Sequence, residues 1–420
     1  MARALPAFAS RDFRLFWIGQ LISLTGTWVQ SVAQQWLVLK LTGSAFDLGL
    51  VATVQFTPLL LLSLLGGAIS DRVPKRNLLL ATQVVAGLLA LLLGILVITG
   101  TVQYWHVLVF AAILGTVNAF YVPARQAFVA ELVDKDAVLN AVALNSTIFN
   151  AARVIGPAIG GLLIAALGIS LNFFLNAGSY LAVIAGLLLI SPRPIAQEGK
   201  RDSLLRNVGD GLQYVADTPV VYTILALIGV ASLFAYNFTT LIPLLAEYVL
   251  HVGSSGYGFL MAAMGAGSLV GAITLSFLKR TNLTRWFIYL GASIFTAAEI
   301  VLGLSRNFAL SFGLLVIVGL ASTFFTTTAN TRILTLTPSN LQGRVMSIYS
   351  LMFLGMTPFG SLLAGLVAQR WGAPTALIIC GAVTLVFTIT VFFYHPTRRA
   401  RRRLELRESE ANEPVRRSTV

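Results

Sequence analysis

Long apolar runs recur along the whole of this sequence, and they limit its possible folds more than any other feature. A helix needs about 20 mostly apolar residues to cross the hydrocarbon core of a bilayer, where it must satisfy its own backbone groups. Of the 420 residues, 57% are hydrophobic and only 11% are charged, against roughly 25% charged in a soluble domain. The sequence therefore predicts an all-α integral membrane protein.

Charged residues, glycines and prolines divide the chain into twelve such runs, and we predict one transmembrane helix for each. The runs span residues 13–39, 46–69, 77–98, 104–122, 138–167, 171–190, 218–246, 256–278, 285–304, 308–328, 346–370 and 373–394. The first run is too long for a cleaved secretory signal, and it contains several glutamines and no convincing cleavage site. We therefore interpret it as the first transmembrane helix.

The longest polar interruption divides the chain into two halves. Residues 1–190 predict a first bundle of six helices and residues 218–395 a second, pseudo-symmetric bundle, with a central cavity between them. Residues 191–217 predict a cytoplasmic linker with an amphipathic helix in the membrane interface, because leucines and valines recur there at helical spacing. The basic cytoplasmic tail, 396–420, is interpreted either as an anchor to acidic lipid headgroups or as a topological stop signal.

The net charge of +13 raises the question of a nucleic-acid partner, so the position of the basic residues matters. Of the 29 lysines and arginines, only Lys40, Arg306 and Arg370 fall on the side opposite to the termini, and only Arg153 falls well inside an apolar run, away from its ends. Basic loops are retained in the cytoplasm. We therefore predict cytoplasmic termini, contact with the lipid bilayer and no nucleic-acid partner.

The loop after the second run carries the sequence Gly67-Ala-Ile-Ser-Asp71-Arg72-Val-Pro-Lys75-Arg76. It resembles the loop signature of the major facilitator superfamily, Gly-x-x-x-Asp-Arg-x-x-Arg/Lys-Arg. The resemblance implies a conformational latch that forms and breaks during alternating access. A glycine permits close helix approach, and the Asp71 carboxylate can complement the positive end of a facing helix. An ordinary charged turn is the alternative.

The fifth run carries Arg153-Val-Ile-Gly156-Pro157-Ala-Ile-Gly160-Gly161. Its core resembles the Gly-Pro-x-x-Gly-Gly signature of the exporter branch of this superfamily, although Ala152 replaces an upstream glycine. A proline inside a helix removes a backbone hydrogen bond and bends the helix, and the glycines leave a groove for a neighbouring helix. The resemblance therefore favours export over import.

Arg153 is the strongest single-residue signal, because an arginine well inside a span is costly unless it faces a partner or an aqueous cavity. A snorkelling arginine or a structural ion pair are the alternatives. A polar stripe along the first run and polar faces on runs ten and eleven predict a cavity, although interhelical hydrogen bonds would explain each face alone. The predicted cavity residues are Gln30, Gln34, Asn118, Asn150, Arg153, Tyr236, Asn237, Thr327 and Asn330.

Three further stretches resemble one branch of the superfamily. They are Arg11-Asp-Phe-Arg-Leu-Phe-Trp-Ile-Gly-Gln, the Leu-Thr-Gly-Ser of the first loop and Pro123-Ala-Arg-Gln-Ala. They are similar to the branch that contains the enterobactin exporter and the macrolide and multidrug efflux permeases. That branch implies efflux of small amphipathic molecules through the bacterial inner membrane, usually in exchange for protons. Thr27 stands where many relatives have an acid, and Ala111 where proton antiporters have an arginine.

The predicted coupling residues are Glu299, Asp47 and Arg153. Glu299 is the only acid clearly within an apolar run, so it is the first candidate to carry a proton, and a structural partner for a distant basic group is the alternative. A single cysteine and no metal-ligand spacing of cysteine and histidine predict neither a disulfide nor a metal site.

The leading hypothesis is a monomeric secondary-active exporter with a small-molecule substrate, protons or another ion as the coupling ion, and no cofactor. No phosphate-binding loop is present, and the three histidines cannot be grouped into a catalytic site, so we do not expect an enzyme. Uptake or lysophospholipid flipping by the same fold is one alternative. A membrane sensor or scaffold without transport is another.

Overall fold

The computed structural model describes residues 6–70, 72–190, 204–278, 285–339 and 341–394. All regular secondary structure within these ranges is helical. Two short 3-10 turns, Pro6–Ala9 and Lys135–Ala137, precede the first and fifth α-helices. Asp71, the start of the predicted linker and the basic tail lie outside the described residues.

Fourteen α-helices follow one another in the described part of the chain. They are α1 (Arg11–Thr42), α2 (Ala45–Ser70), α3 (Lys75–Ile98), α4 (Tyr104–Glu131), α5 (Val138–Leu167), α6 (Ser170–Leu189), α7 (Leu204–Asp217), α8 (Pro219–Phe234), α9 (Phe238–Tyr248), α10 (Gly253–Phe277), α11 (Arg285–Leu304), α12 (Phe308–Leu336), α13 (Gln342–Leu354) and α14 (Thr357–Tyr394).

Ten segments of the described chain are long and apolar enough to cross a membrane. The all-helical membrane class predicted from the sequence is therefore confirmed, whereas the count of twelve spans stays a prediction. The difference has two sources. The glutamine-containing α1, 32 residues long, is not among the ten. The 52-residue segment Gln342–Phe393 is counted once, although Gly372 breaks its helical geometry with a φ of 83°.

The seventh predicted span is broken in the middle rather than continuous. It consists of α8 and α9, separated at Ala235–Asn237. The side-chain amide nitrogen of Asn237 donates to the carbonyl oxygens of Leu233 (3.1 Å) and Phe234 (2.9 Å) at the end of α8. These bonds satisfy carbonyls that the broken helix leaves without backbone partners.

We refer to α1–α6 as the first group of helices and to α7–α14 as the second group, and the two groups contact each other mainly along two seams. Among the first six helices, α1 packs against α5 and α6, α2 packs against α4, and α3 packs against α4 and α6. Among the later helices, α12 packs against α10 and α11, and α14 packs against α8 and α11. The seams between the groups are the contacts of α5 with α10 and of α2 with α14.

The predicted amphipathic helix in the linker is present as α7. Its Tyr214 hydroxyl donates to the carbonyl oxygen of Leu336 at the end of α12 (2.6 Å). Its Asp210 carboxylate forms an ion pair with Arg344 of α13. These contacts hold α7 against the helices of the second group.

Candidate substrate site

The two seams are tightly closed at the end of the molecule that carries the α1–α2 turn. Gly43 adopts a φ of 61° in this turn, and we call this the Gly43 end and the opposite one the termini end. A Cβ atom added to Gly161 of α5 would lie 2.8 Å from the Cα atom of Gly258 in α10. A Cβ atom on Gly365 of α14 would lie 3.2 Å from the Cα atom of Gly49 in α2. Backbone therefore meets backbone in both seams.

Polar side chains join the two groups at the same end. The Nζ atom of Lys40 lies 2.5 Å from the Oε1 atom of Glu247. The Oε1 atom of Gln369 in α14 accepts hydrogen bonds from the backbone nitrogens of Ala45 (2.8 Å) and Phe46 (3.3 Å) at the start of α2. Because the first amides of a helix have no partner within it, Gln369 caps α2 from the opposite group.

Gln369→Leu is expected to loosen this closure. The substitution removes the acceptor of one part-buried and one exposed amide donor at the start of α2, and losing such a helix cap costs about 0.5–2 kcal/mol. Amides 45–48 of α2 should therefore exchange with deuterium faster than in the wild type, which mass spectrometry of the purified protein measures. Gln369→Glu keeps the acceptor and is the matched control. Equal exchange in the wild type and in Gln369→Leu would show that the cap contributes nothing.

The seam of α2 with α14 has an open position near the termini end, at Gly67. Gly49 and Gly67 are about five helical turns apart on α2 and therefore face the same direction. A Cβ atom on Gly49 would meet Ser361 and Gly365 of α14, whereas one on Gly67 would have no atom within 4 Å. Close packing near the loop signature is found instead at Gly66, against Ala119 of α4. The seam of α2 with α14 is thus in contact at Gly49 and has no contact at Gly67 among the described residues.

A cavity of about 110 Å³ lies where the two groups meet. Its lining residues come from both groups: Trp28, Arg153, Tyr236, Phe238, Thr239, Met261, Met264 and Ser322. Pockets for drug-sized ligands usually measure about 300–1,000 Å³. The cavity therefore has room for one functional group of such a ligand, directly beneath the closed Gly43 end.

Arg153 supplies the charged group of this cavity, and Tyr236 supplies a phenol. Among the described residues, the Arg153 side chain has no hydrogen-bond or ion-pair partner, and its buried Nε atom is unpaired. The Tyr236 hydroxyl lies 3.4 Å from the carbonyl oxygen of Ser322, and its ring packs against Phe295 and Phe353 with centroid distances of 5.0 and 5.5 Å. The cavity therefore combines an unpaired cation with aromatic and thioether surface.

Four other predicted cavity residues lie outside this pocket in hydrogen bonds of their own. Gln30 accepts from the Asn176 amide of α6 (2.7 Å), and the Gln34 amide donates to Gln55 of α2 (3.0 Å). The Asn150 amide donates to the carbonyl oxygen of Ser146 (2.8 Å) within α5. Asn237 lies at the break between α8 and α9. A cavity role for these residues stays a prediction.

The remaining predicted cavity residues also lie outside this pocket. Thr327 is exposed, and Asn118 and Asn330 are half-buried. The pocket residues absent from the predicted cavity set are Trp28, Phe238, Thr239, Met261, Met264 and Ser322. The spacing of Met261 and Met264 on α10 is a usable signal, because flexible methionine side chains suit surfaces that adapt to a ligand.

The two acidic coupling candidates, unlike Arg153, do not line the pocket. Glu299 of α11 is 0% exposed, and neither carboxylate oxygen has a hydrogen-bond partner among the described residues. It faces the contact of α11 with α14, where a Cβ atom on Gly381 would lie 3.0 Å from the carbonyl oxygen of Thr296. Asp47 is half-buried in the first turn of α2, and its backbone oxygen accepts from the Tyr104 hydroxyl (3.2 Å).

The basic residues of the loop signature contact the first group of helices. The Nε atom of Arg76 donates to the carbonyl oxygen of Leu187 (2.6 Å), at the end of α6. Lys75 forms an ion pair with Glu131 of α4 at 2.6 Å. Arg72 is exposed. These contacts fix the loop to α4 and α6, and the latch role of the signature stays a prediction.

The glycines around Pro157 bring α5 close to two neighbours. Added Cβ atoms on Gly156 and Gly160 would each lie 3.0 Å from backbone oxygens of α1, and one on Gly161 would meet α10. Pro157 is buried inside a continuous helix. Arg153 lies one turn before this segment, so the glycine contacts position the helix that carries the cavity arginine.

Residues 2–416 match the model of the family MFS_3, transmembrane secretion effector. This chain belongs to the MFS_3 family. The predicted resemblance to the major facilitator superfamily is therefore confirmed, and this MFS_3 chain is a multi-pass transporter of a bacterial family and not an enzyme.

Curated relatives of this MFS_3 chain include exporters of two kinds. The staphyloferrin A transporter of Staphylococcus aureus is 28% identical, over 96% of this chain and 99% of the relative. The multidrug efflux pump Tap of Mycolicibacterium fortuitum is 25% identical, over 88% and 92%. The enterobactin exporter EntS of Escherichia coli is 26% identical, over 92% and 94%. The predicted similarity to siderophore and multidrug exporters is confirmed.

Solved transporter structures share the fold of this MFS_3 chain at low sequence identity. A bacterial homologue of the human lysosomal transporter Spinster, in an inward-facing and occupied conformation, gives a TM-score of 0.73 at 13% identity, covering 91% of this chain and 95% of that one. The nucleoside transporter NupG gives 0.72 at 10% identity, covering 91% and 98%. These structural similarities concern the fold alone.

Proposed function

We propose that this chain is a secondary-active exporter that moves small amphipathic molecules across the bacterial inner membrane by alternating access, in exchange for protons. The observation that carries the proposal is the cavity at Arg153, which is lined by both helix groups and lies beneath a closed Gly43 end. The names of two relatives, the efflux pump Tap and the exporter EntS, support the direction of transport.

The proposed architecture has twelve spans in two bundles, with residues 191–217 as the cytoplasmic linker. Two counts support it. At a rise of about 1.5 Å per residue, α1 with its 32 residues is about 48 Å long, which exceeds the hydrocarbon core. The 52 residues of Gln342–Phe393 would extend about 78 Å, enough for two crossings on either side of Gly372. The distribution of basic residues supports cytoplasmic termini.

In the proposed cycle the substrate enters from the termini end and reaches Arg153, after which the two groups rock about it. The unoccupied space beside Gly67 supports this motion, because it leaves room for the facing helix to approach α2 when the termini end closes. The latch residues Gly67, Asp71, Arg72, Lys75 and Arg76 would act at this stage. One chain contains both helix groups, so we propose a monomer.

The proposed coupling uses protons, with Glu299 as the first carrier and Asp47 as the second candidate. A fully buried carboxyl group without a partner supports this role, because such a group is stable in the membrane only while it is neutral. Substrate binding at Arg153 would then be linked to protonation through the movement of the helices rather than through a direct contact.

Export from cells that lack other pumps tests the function. We expect the wild type to lower the accumulation of an amphipathic fluorescent dye, and a protonophore to abolish the effect. Higher accumulation than in empty-vector cells would instead indicate uptake. Movement of a fluorescent lysophospholipid alone would indicate lipid flipping. Absence of any flux, with the protein present in the membrane, would indicate a sensor or scaffold.

A further inference from the structure

The guanidinium group of Arg153 is the only charged group that lines the cavity between the two helix groups. Among the described residues it has no ion-pair partner, and its Nε atom is both buried and unpaired. Removing a charge from water without a counter-charge costs several kcal/mol in a protein interior. The lining of the cavity therefore offers no counter-charge to this arginine, and an anion that enters the cavity would supply one.

The acidic residues of the described chain do not supply that counter-charge. Those in the candidate membrane helices lie at helix ends, as Asp47 and Glu247 do, with the exception of Glu299. Glu299 is 0% exposed at the contact of α11 with α14 and does not line the cavity. Glu247 is already paired with Lys40.

A second arginine lies closer to the termini end. Among the described residues, the Nε and Nη1 atoms of Arg125 in α4 are buried without a hydrogen-bond partner, and its guanidinium carbon lies 5.6 Å from the ring centroid of Tyr121. The Tyr121 hydroxyl donates to the Oε1 atom of Gln20 (2.8 Å), and the Nε2 atom of Gln20 is buried and unpaired. The Nε and Nη1 atoms of Arg125 and the Nε2 atom of Gln20 are therefore three hydrogen-bond donors near Tyr121 that have no partner among the described residues.

We propose that the substrate of this transporter is an organic oxyanion, whose carboxylate or phosphate group binds Arg153, with Arg125 as a second anion subsite nearer the termini end. The proposal rests on the exporter function proposed above. The planar guanidinium fork matches both oxyanions in a bidentate geometry. A cationic amphiphile would face an unneutralised charge of its own sign in the cavity.

The aromatic and thioether lining defines the rest of the ligand. Trp28, Tyr236, Phe238, Met261 and Met264 surround the arginine with apolar surface. A small inorganic anion would leave this surface unused. The site thus suits an amphipathic anion, with its charged group at Arg153 and an apolar body against the aromatic rings.

Two dyes that differ in one charge test the proposal. Fluorescein carries a free carboxylate, and fluorescein ethyl ester lacks it. In everted membrane vesicles, we expect the wild type to accumulate the acid at least about fivefold faster than the ester, which corresponds to roughly 1 kcal/mol of discrimination. Arg153→Gln should lower the rate for the acid by about tenfold, as expected for a lost charged hydrogen bond, and should abolish the preference for the acid over the ester.

Two control variants distinguish the effect of the charge at position 153 from the effect of the total charge of the protein. Arg153→Lys keeps the cation and should retain part of the preference for the acid. Arg306→Gln removes the same charge from the Gly43 end, where Arg306 contacts only the backbone oxygens of Gly303 and Ser305, and should leave the preference unchanged. Transport of both dyes at equal, measurable rates, or faster transport of the ester, would overturn the proposal.

A binding measurement distinguishes failure of this proposal from failure of the exporter function. Citrate and glycerol 3-phosphate are added to the detergent-solubilised protein, and the melting temperature is recorded. A shift by either anion in the wild type, absent in Arg153→Gln, supports the oxyanion site even if neither dye is transported. Citrate alone assigns a carboxylate and glycerol phosphate alone a phosphate. No shift with either anion, together with no preference for the acid dye, overturns the proposal while dye export can still stand.

Discussion

Gly161→Val is expected to slow transport about hundredfold, because it separates α5 from α10 at the Gly43 end. A Cβ atom at Gly161 would lie 2.8 Å from Cα and 3.0 Å from the backbone nitrogen of Gly258. Backbone cannot rotate aside as a side chain can, so the helices must move apart. Overpacking of this kind costs roughly 3 kcal/mol, which is about a hundredfold in the population of the closed state. The measurement is the initial rate of dye export per molecule of membrane-embedded protein.

The control for this substitution is Gly178→Val in α6. An added Cβ atom at Gly178 has no atom within 4 Å, so the same change in side chain meets open space. A thiol placed at the buried Ser254, in a Cys380→Ser background, should react with a label from the Gly43 side faster in Gly161→Val than in the wild type. Wild-type transport by Gly161→Val, or equal slowing by Gly178→Val, would contradict the role assigned to the glycine contact.

Glu299→Gln is expected to abolish accumulation driven by a pH difference while exchange of substrate across the membrane continues. A difference of one pH unit stores about 1.4 kcal/mol per transferred proton, which supports roughly a tenfold concentration ratio of substrate. Glutamine cannot carry the proton, so the ratio should fall to about one. Because Glu299 is fully buried without a hydrogen-bond partner in the described chain, the neutral amide should not destabilise the fold.

Everted vesicles with an acidic interior measure this effect. Steady-state accumulation reports coupling, and exchange of external against internal dye reports the substrate pathway alone. Glu247→Gln, which removes an acid at the Gly43 end that is paired with Lys40, is the control and should still accumulate dye. Asp47→Asn tests the second coupling candidate. Full accumulation by Glu299→Gln would assign proton coupling elsewhere, and loss of exchange as well would indicate a structural role.

The polar stripe of α1, which includes Gln20, Gln30 and Gln34, shows what a sequence pattern can and cannot decide. Its spacing predicts one polar helix face, but a periodic pattern does not say whether that face lines a cavity or contacts neighbouring helices. Gln20 bonds with α4, Gln34 with α2 and Gln30 with α6, so the stripe forms bonds between helices of the first group. Arg153 carried a clearer signal, because an arginine inside an apolar run has few acceptable positions.

The sequence by itself determined the membrane class, the family and the location of the cavity arginine. These features follow from local quantities, namely the length of apolar runs, the distribution of charge and short signatures, which do not depend on how helices are arranged. Tertiary structure alone decided which helix faces meet. It brought Arg153 of α5 and Tyr236 of the α8–α9 break into one pocket with Met261 of α10, and it left Glu299 outside that pocket. The physical reason is that close backbone contacts, such as that of Gly161 with Gly258, fix the rotation and separation of helices that are far apart in the chain.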